Sequence, residues 1–143
     1  MIVLDTSVVL AFMDRRDADH ELVREWMDEL EDELVSTPLI LAELDHLVSR
    51  QGGASAAMAL RDDFKRGAYQ LEWWPSALRE TIDVAERWAS IELGLADASL
   101  VALAAHVKTT DIATLDERRF RALRPMNDKH DAFKLLPYDS RQR

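Results

Sequence analysis

Two short stretches of the chain decide the fold: Ile2-Val3-Leu4-Asp5-Thr6-Ser7 and Ile112-Ala113-Thr114-Leu115-Asp116. Each is an apolar, strand-like run that leads into an aspartate. In an open parallel sheet, binding and reacting groups gather outside the carboxyl ends of the strands, so Asp5 and Asp116 are expected to meet at one sheet edge. The first hypothesis is therefore a carboxylate site for a hard metal ion.

Helical periodicity and short apolar runs alternate along the rest of the chain. Apolar residues recur at three- and four-residue steps over 20–34, which predicts an amphipathic helix. Other helices are predicted over residues 8–12, 38–50, 54–66, 75–89 and 97–107, and other strands over residues 34–35, 69–73, 112–115 and 133–136. Strands that alternate with helices indicate an α/β fold with a parallel or mostly parallel sheet between helical layers.

Length and composition favour one domain over residues 1–143. The chain has 143 residues, is 48% hydrophobic and contains only four glycines and four prolines, so it can bury a sizeable core. It has no cysteine, which excludes disulfides, thiolate zinc sites and cysteine nucleophiles and is compatible with a reducing cytosol. No signal peptide or membrane-length apolar run is evident, so a cytoplasmic protein without a membrane segment is expected.

The charge of the chain is acidic and unevenly distributed. A net charge of -9 argues at first against a nucleic-acid partner. Residues 14–33 hold ten acids and three bases, which fits the solvated face of a helix, whereas residues 117–143 hold eight bases and four acids. The basic stretch begins directly after Asp116, and it could attract a polyanion to the acids, form a solvated tail or bind a partner.

The aspartates at the two strand ends each have an ordinary structural explanation. Asp5 could form a turn or cap the helix that follows, and Thr6 or Ser7 could cap that helix or hold a water bound to a metal ion. Asp116 precedes a short helix anchored by Phe120. The four histidines show no spacing typical of metal ligands, and no serine, histidine and acid arrangement is present.

Glu43 and Asp97 lie in apolar helical settings. The helix of Glu43 packs through Leu39, Ile40, Leu44, Leu47 and Val48, and Glu43 falls on the border of that face, whereas Asp45 and His46 point more toward solvent. An acid held against a hydrophobic core needs a partner of opposite charge. The ordinary explanation is an ion pair with an arginine, and the functional alternative is a bound metal ion. Asp97 begins an almost wholly apolar helix, where simple N-capping is the ordinary explanation.

These motifs together resemble a known family. Ile-Val-Leu-Asp-Thr-Ser at the start, Glu43 within Ser-Thr-Pro-Leu-Ile-Leu-Ala-Glu-Leu, Asp97 within Leu-Ala-Asp-Ala-Ser-Leu and Asp116 within Ala-Thr-Leu-Asp-Glu-Arg-Arg-Phe are similar to the motifs of the PIN domain. More narrowly, the chain resembles the VapC-type toxins of bacterial type II toxin–antitoxin pairs. The resemblance covers nearly the whole chain, because Ala132-Phe133-Lys134-Leu135-Leu136-Pro137 matches the closing strand.

The resemblance implies a three-layer α/β/α sandwich with a mostly parallel sheet of about five strands. It implies an endoribonuclease that depends on Mg²⁺ or Mn²⁺, a homodimer and a cognate antitoxin, with transfer, ribosomal or messenger RNA as the substrate. Carried over by position, the catalytic and metal-binding acids are Asp5, Glu43, Asp97 and Asp116, with Thr6 or Ser7 and Thr114 in support. Asp5 and Asp97 are expected to hold the principal ion, and the antitoxin is expected between the helices at 20–34 and 38–50, near Trp26, Met27 and Leu30.

Three other classes of protein share parts of this pattern. Asp-Thr-Ser also occurs in aspartic proteases, but those folds are rich in β-structure and this chain is largely helical. A receiver-like phospho-acceptor domain needs an acidic pair at the first strand and a late lysine, and neither is evident. The remaining alternative is a catalytically inactive, PIN-like binding or regulatory protein whose acids are structural.

Overall fold

The computed structural model describes residues 1–127 and 129–141, and it alternates strands with helices. The strands are β1 (Ile2–Leu4), β2 (Leu34–Ser36), β3 (Gln70–Leu71), β4 (Asp111–Ala113) and β5 (Lys134–Leu136). The helices are α1 (Thr6–Met13), α2 (His20–Asp28), α3 (Pro38–Lys65), α4 (Ala77–Arg87), α5 (Leu95–His106) and α6 (Glu117–Ala122), with 3-10 turns at Ala89–Ile91 and Tyr138–Arg141.

The five strands form one sheet in the order β3-β2-β1-β4-β5, and every pairing is parallel. Val3 in the central strand lies opposite Val35 on one side and Ile112 on the other. The order therefore makes β1 and β4 direct neighbours, as the expected meeting of Asp5 and Asp116 requires. The predicted α/β class is confirmed, and so is the expected number of strands.

Both faces of the sheet are covered by helices. Ile2, Val3 and Leu4 are consecutive and all buried, although alternate side chains of a strand point to opposite faces. Among the helices, α5 is buried from Ala98 to Ala104 and packs against α4. Helix α1 packs against both α2 and α3. Among the described residues, no helix is both long and apolar enough to cross a membrane.

The observed element limits differ from the predicted ones at two places that affect the site. Helix α2 ends at Asp28 rather than near Leu34. Helix α5 begins at Leu95, with Gly94 as its N-cap, so Asp97 lies inside the first turn and does not cap the helix. The expected capping role of Asp97 is therefore wrong, and its carboxylate is available for other contacts.

Helix α3 consists of two helical segments joined by a kink at Gly53, in agreement with the two helices predicted over 38–50 and 54–66. Thr37 caps it by accepting a hydrogen bond from the Ile40 amide at 3.3 Å, and Pro38 follows in the first turn. Gly53 has φ 77° and ψ -172° inside the helix. A Cβ at Gly52 would lie 2.7 Å from the Ala56 Cβ. Gly52 is therefore required because a side chain would clash with Ala56, and Gly53 is required because of its backbone conformation.

We expect Gly53→Ala to lower the free energy of unfolding by about 1–3 kcal/mol, because a side chain is strained at this φ and ψ. Ser55→Ala is the matched control, since Ser55 is exposed on the same helix and its change should have an effect of less than about 0.5 kcal/mol. Urea unfolding of both variants measures the difference. Equal stability of the two would contradict the proposed strain.

Candidate active site

Asp5 leaves the end of β1 and is buried, with 4% of its surface exposed. Its backbone amide donates to the Ala113 carbonyl at 2.9 Å, which joins it to the end of β4. Asp5 occupies the N-cap position of α1, but its side chain makes no capping hydrogen bond. The turn-or-cap explanation therefore does not account for this carboxylate, which is turned to other groups.

Two hydroxyl groups hold the Asp5 carboxylate in place. Ser7 Oγ and Thr114 Oγ1 each donate to Asp5 Oδ2, both at 2.8 Å. In turn, Ser7 Oγ accepts from the Leu115 amide at 2.9 Å, and Thr114 Oγ1 accepts from the Asp116 amide at 3.0 Å. Each hydroxyl proton is thereby directed at Asp5, and the loop after β4 is attached to the acid. Ser7 and Thr114 do support the site acid, while the capping role considered for Ser7 is wrong.

Glu43 reaches the same end of the sheet from α3, but not for the predicted reason. Its side chain is exposed and does not lie against the apolar face. Thr6 Oγ1 donates to Glu43 Oε1 at 2.7 Å, so the partner of Glu43 is a hydroxyl and not the arginine considered as the ordinary case. Asp45, expected to point toward solvent, instead pairs with Arg61 at 2.6 Å. The contact between Thr6 and Glu43 joins the starts of α1 and α3 beside Asp5.

Asp97 and Asp116 are linked by one arginine. The Arg119 guanidinium forms an ion pair with Asp97 Oδ2, and its Nε lies 3.8 Å from Asp116 Oδ2. Asp116 is also the N-cap of α6 and accepts a hydrogen bond from the Arg119 amide at 3.1 Å. The hydrogen bond to Asp97 raises the pKa of Arg119 above its ordinary value, with the charges of Asp97, Asp116 and Asp5 in support.

The electrostatics single out Asp5 among the acids. The pKa of Asp5 is raised from 3.8 to about 6, first by burial and then by the negative charge of Asp97, while hydrogen bonds from Thr114, Ser7 and the Thr6 backbone oppose the rise. The chain therefore holds a buried carboxylate near a second one at a sheet edge. A positive charge placed between Asp5 and Asp97 would be stabilised by both.

The donor set fits a hard divalent cation. Mg²⁺ prefers oxygen ligands and is typically held by one or two protein carboxylates together with water and substrate phosphate. Asp5 and Asp97 match that number. No group of three acids or histidines among residues 1–127 and 129–141 is arranged to hold an ion by itself. Asp116 and Glu43 are occupied by Arg119 and Thr6, so any wider coordination requires those contacts to change.

The chemistry of the grooves also distinguishes this sheet edge from the opposite one. A cavity of about 390 Å³ beside the acids is lined by Ile91, Asp116, Arg118, Arg119 and Ala122. A larger groove of about 640 Å³ includes Ile2, Asp111 and Lys134, the first residues of three parallel strands. Its position at the amino ends of the strands places it away from the carboxylate and hydroxyl network, so size alone does not identify the site.

The structure brings Ser7 and Thr114 onto Asp5 and links Asp97 with Asp116 through Arg119, a residue that the sequence did not single out. Arg119 was one base in a basic stretch with several explanations. The spacing of Arg119 from Asp116 was the available signal for their contact. Residues three positions apart in a helix lie on the same face, one turn apart. The pairing of Arg119 with Asp97, 22 residues earlier, had no signal in the sequence.

The parallel sheet and the acids at its carboxyl edge define the class of protein. A family model described as the PIN domain matches residues 2–124, and the chain belongs to this family. Over 126 residues it is 36% identical to Ribonuclease VapC26 of Mycobacterium tuberculosis (strain ATCC 25618 / H37Rv), covering 87% of this chain and 93% of that protein. Within the PIN family the chain therefore groups with the VapC-type ribonuclease toxins, as the sequence motifs predicted.

Two solved structures share the fold. The crystal structure of Mycobacterium tuberculosis VapC20, described as a toxin that cleaves the sarcin-ricin loop, matches with a TM-score of 0.73 and 19% identity over 78% of this chain and 87% of that one. The crystal structure of FitAcB from Neisseria gonorrhoeae matches with a TM-score of 0.57 and 22% identity over 82% of this chain and 88% of that one. At these identities the two structures confirm the architecture alone.

Proposed function

We propose that this protein is a metal-dependent endoribonuclease that acts as the toxin of a toxin–antitoxin pair. The observation that carries the proposal is the buried Asp5 carboxylate, which two hydroxyls orient beside Asp97 at the carboxyl edge of the sheet. Membership of the PIN family and the similarity to Ribonuclease VapC26 support it.

The four acids take different parts in the proposed mechanism. Asp5 and Asp97 would hold Mg²⁺ or Mn²⁺, and Asp116 and Glu43 would complete its shell or orient water once their contacts with Arg119 and Thr6 change. When bound, the cation supplies a more acidic water and neutralises charge on the phosphate and the leaving oxygen. Ser7 and Thr114 keep the Asp5 oxygens in one orientation, because both donate to the same atom.

Cleavage of purified RNA, with and without a chelator, tests the proposal directly. We expect the wild type to cut RNA with Mg²⁺ or Mn²⁺ and to stop when the cation is removed. Asp116→Asn should be slower by at least about tenfold, because asparagine keeps the helix cap but loses the charge. Asp111→Asn removes the same charge at the opposite edge and should cut like the wild type.

The alternative of a catalytically inactive PIN-like protein is favoured by two contacts. Arg119 neutralises Asp97, and Thr6 satisfies Glu43, so these acids also have structural explanations. That alternative predicts no cleavage that a chelator inhibits, and equal behaviour of Asp116→Asn and Asp111→Asn. Mapping the RNA ends produced in cells by the wild type and by Asp116→Asn would also show whether transfer, ribosomal or messenger RNA is cut.

For the antitoxin we propose the groove between α1 and α3. The predicted contact between α2 and α3, near Trp26, Met27 and Leu30, stays a prediction; α1 packs against both helices, and these three side chains are half-buried. A groove of about 320 Å³ is lined by Leu10, Met13, Asp14, Arg16, Val48, Gln51, Gly52 and Ala56. It lies along the same pair of helices that Thr6 and Glu43 join at the acid site. A partner segment in it would therefore lead toward the acids.

Blocking this groove tests the proposed contact. Gln51 is exposed and lines the groove, whereas Arg50 is exposed on the same helix and is not among its lining residues. Gln51→Trp should weaken antitoxin binding by about tenfold or more, and Arg50→Trp should not. Co-purification with the cognate antitoxin measures the effect, and unchanged binding of Gln51→Trp would place the partner elsewhere.

A homodimer and a cytoplasmic location complete the proposal. Leu78 and Ile82 are exposed one helical turn apart on α4, which is the kind of apolar surface that a second copy covers. Sedimentation of the wild type and of Leu78→Glu tests the dimer, which should dissociate in the variant. RNA and an antitoxin as partners would place the protein in the cytoplasm, which fractionation of cells that express it would check.

A further inference from the structure

Arg119 supplies positive charge in the middle of the acids. Its guanidinium pairs with Asp97 and lies 3.8 Å from Asp116, and its charge also acts on Asp5. These are three of the four acids that the proposed function assigns to a divalent cation. A protein that binds such a cation thus carries its own competitor for the same oxygens.

The backbone of Arg119 is fixed while its side chain has room to move. The backbone amide donates to the Asp116 carboxylate at 3.1 Å in the first turn of α6. The side chain is 41% exposed, and it lines the cavity of about 390 Å³ beside the acids. The guanidinium can therefore leave Asp97 by rotating about its own side-chain bonds, without unfolding the helix.

We propose that Arg119 is an internal counter-ion that exchanges partners: it holds Asp97 and Asp116 in the metal-free protein and turns to a phosphate oxygen of RNA when a divalent cation takes those carboxylates. This inference rests on the proposed ribonuclease function. It assigns the arginine two successive contacts, the first with the acids and the second with the substrate.

The charges explain why both contacts are favourable. Without a cation, the acids repel one another, and Arg119 lowers that repulsion. A bound cation takes over this task and also repels the guanidinium, so the arginine and the metal weaken each other's hold on the acids reciprocally. A displaced guanidinium matches phosphate geometry, and its charge would stabilise the negative charge that develops during cleavage.

Titration of Mn²⁺ in the absence of RNA tests the first contact. Arg119→Gln should bind Mn²⁺ more tightly than the wild type, by about 5–150-fold, because the competing charge is gone. A merely structural role predicts the opposite, since a damaged site binds metal more weakly. Arg118→Gln is the matched control, because Arg118 makes no ion pair among the described residues. Its affinity for Mn²⁺ should stay within about twofold of the wild type.

RNA cleavage at saturating Mn²⁺ tests the second contact. Arg119→Gln should cut RNA about 10²–10³-fold more slowly than the wild type despite its tighter metal binding. Arg119→Lys should retain part of the rate, because it keeps a charge but not the planar fork. Unchanged or weaker Mn²⁺ binding by Arg119→Gln would overturn the exchange, and so would a wild-type cleavage rate.

The two readouts separate this inference from the ribonuclease proposal. If the wild type cuts no RNA, the proposed function fails and the phosphate contact fails with it, whatever the Mn²⁺ titration shows. If the wild type cuts RNA and Arg119→Gln binds Mn²⁺ no more tightly, the function stands and the exchange is wrong. Tighter metal binding together with slower cleavage supports both.

Discussion

Asp5→Asn is expected to stabilise the metal-free protein at pH 7.5 by up to about 3 kcal/mol while lowering RNA cleavage by more than about 100-fold. Burial and the nearby charge of Asp97 both destabilise the ionised form of Asp5. Asparagine is neutral, so it removes this unfavourable electrostatic energy. The asparagine oxygen can still accept from Ser7 and Thr114, so the local network survives. Opposite changes in stability and activity are typical of a site that stores electrostatic strain for a ligand.

The pH dependence of this effect has a definite sign. The pKa of Asp5 is about 6 in the folded protein and 3.8 in its ordinary environment, so between these values the folded state retains a proton that the unfolded chain has lost. Stability due to this group is therefore present at pH 4, falls as the pH rises toward 6, and stays low above 6. The difference between Asp5→Asn and the wild type should grow over the same range.

Chemical unfolding of both proteins in the presence of a chelator, from pH 4 to pH 8, measures that difference. Taking the difference removes the contributions of other acids, such as Asp139, whose pKa is lowered by its hydrogen bond with Arg121. Asp111→Asn controls for the change in net charge and should show no comparable gain. A constant difference across the pH range, or a less stable Asp5→Asn protein at pH 7.5, would show that Asp5 is not strained.

Thr114→Val should lower stability by about 1.5–3 kcal/mol and slow RNA cleavage by about 10–100-fold. Thr114 is fully buried, donates to Asp5 and accepts from the Asp116 amide. Valine fills the same space but leaves that amide without its acceptor and the Asp5 carboxylate with one hydrogen bond fewer. The expected decreases in stability and cleavage rate therefore come from lost hydrogen bonds and not from a change in packing volume.

Thr81→Val is the matched control for that substitution. Thr81 is also fully buried, but its hydroxyl has no hydrogen-bond partner within residues 1–127 and 129–141. Removing an unpaired buried hydroxyl should leave stability unchanged or raise it by about 1 kcal/mol, with normal cleavage. Urea unfolding and RNA cleavage of the two variants settle the comparison. Equal destabilisation by both substitutions would mean that the hydroxyl of Thr114 contributes nothing beyond shape.

The fold was largely predictable because its signals are local and consistent. Consecutive apolar residues such as Ile2, Val3 and Leu4 indicate a strand covered on both faces, and helical periods between such strands indicate crossovers. The break within α3 was predictable for the same reason. Gly52-Gly53 is a strong local stop signal, and Gly53 has non-helical backbone angles between two helical segments.

The candidate acids were proposed from their positions at strand ends and in apolar helices, whereas most of the contacts that they make had no signal in the sequence. The apolar setting of Glu43 suggested burial, and the structure instead exposes it and gives it a hydroxyl partner. The sequence pattern defines the buried face of a helix only approximately. A small rotation of the helix about its axis changes which side chains at the edge of that face are covered. The contact of Arg119 with Asp97 was not predicted. A side chain that contacts another helix leaves no periodic pattern in the sequence.

The hydrogen bond between Thr114 and Asp5 spans 109 residues of chain, and the neighbouring bond from Asp5 to Ala113 spans almost as many. During synthesis the ribosome therefore makes one half of the acid site at the very start and the other only when most of the domain exists. Until the late strand docks beside the first, the early aspartate lacks the hydrogen bond from Thr114 and the neighbouring Asp116 carboxylate. The proposed ribonuclease site is in this way incomplete until the last third of the chain has been synthesised.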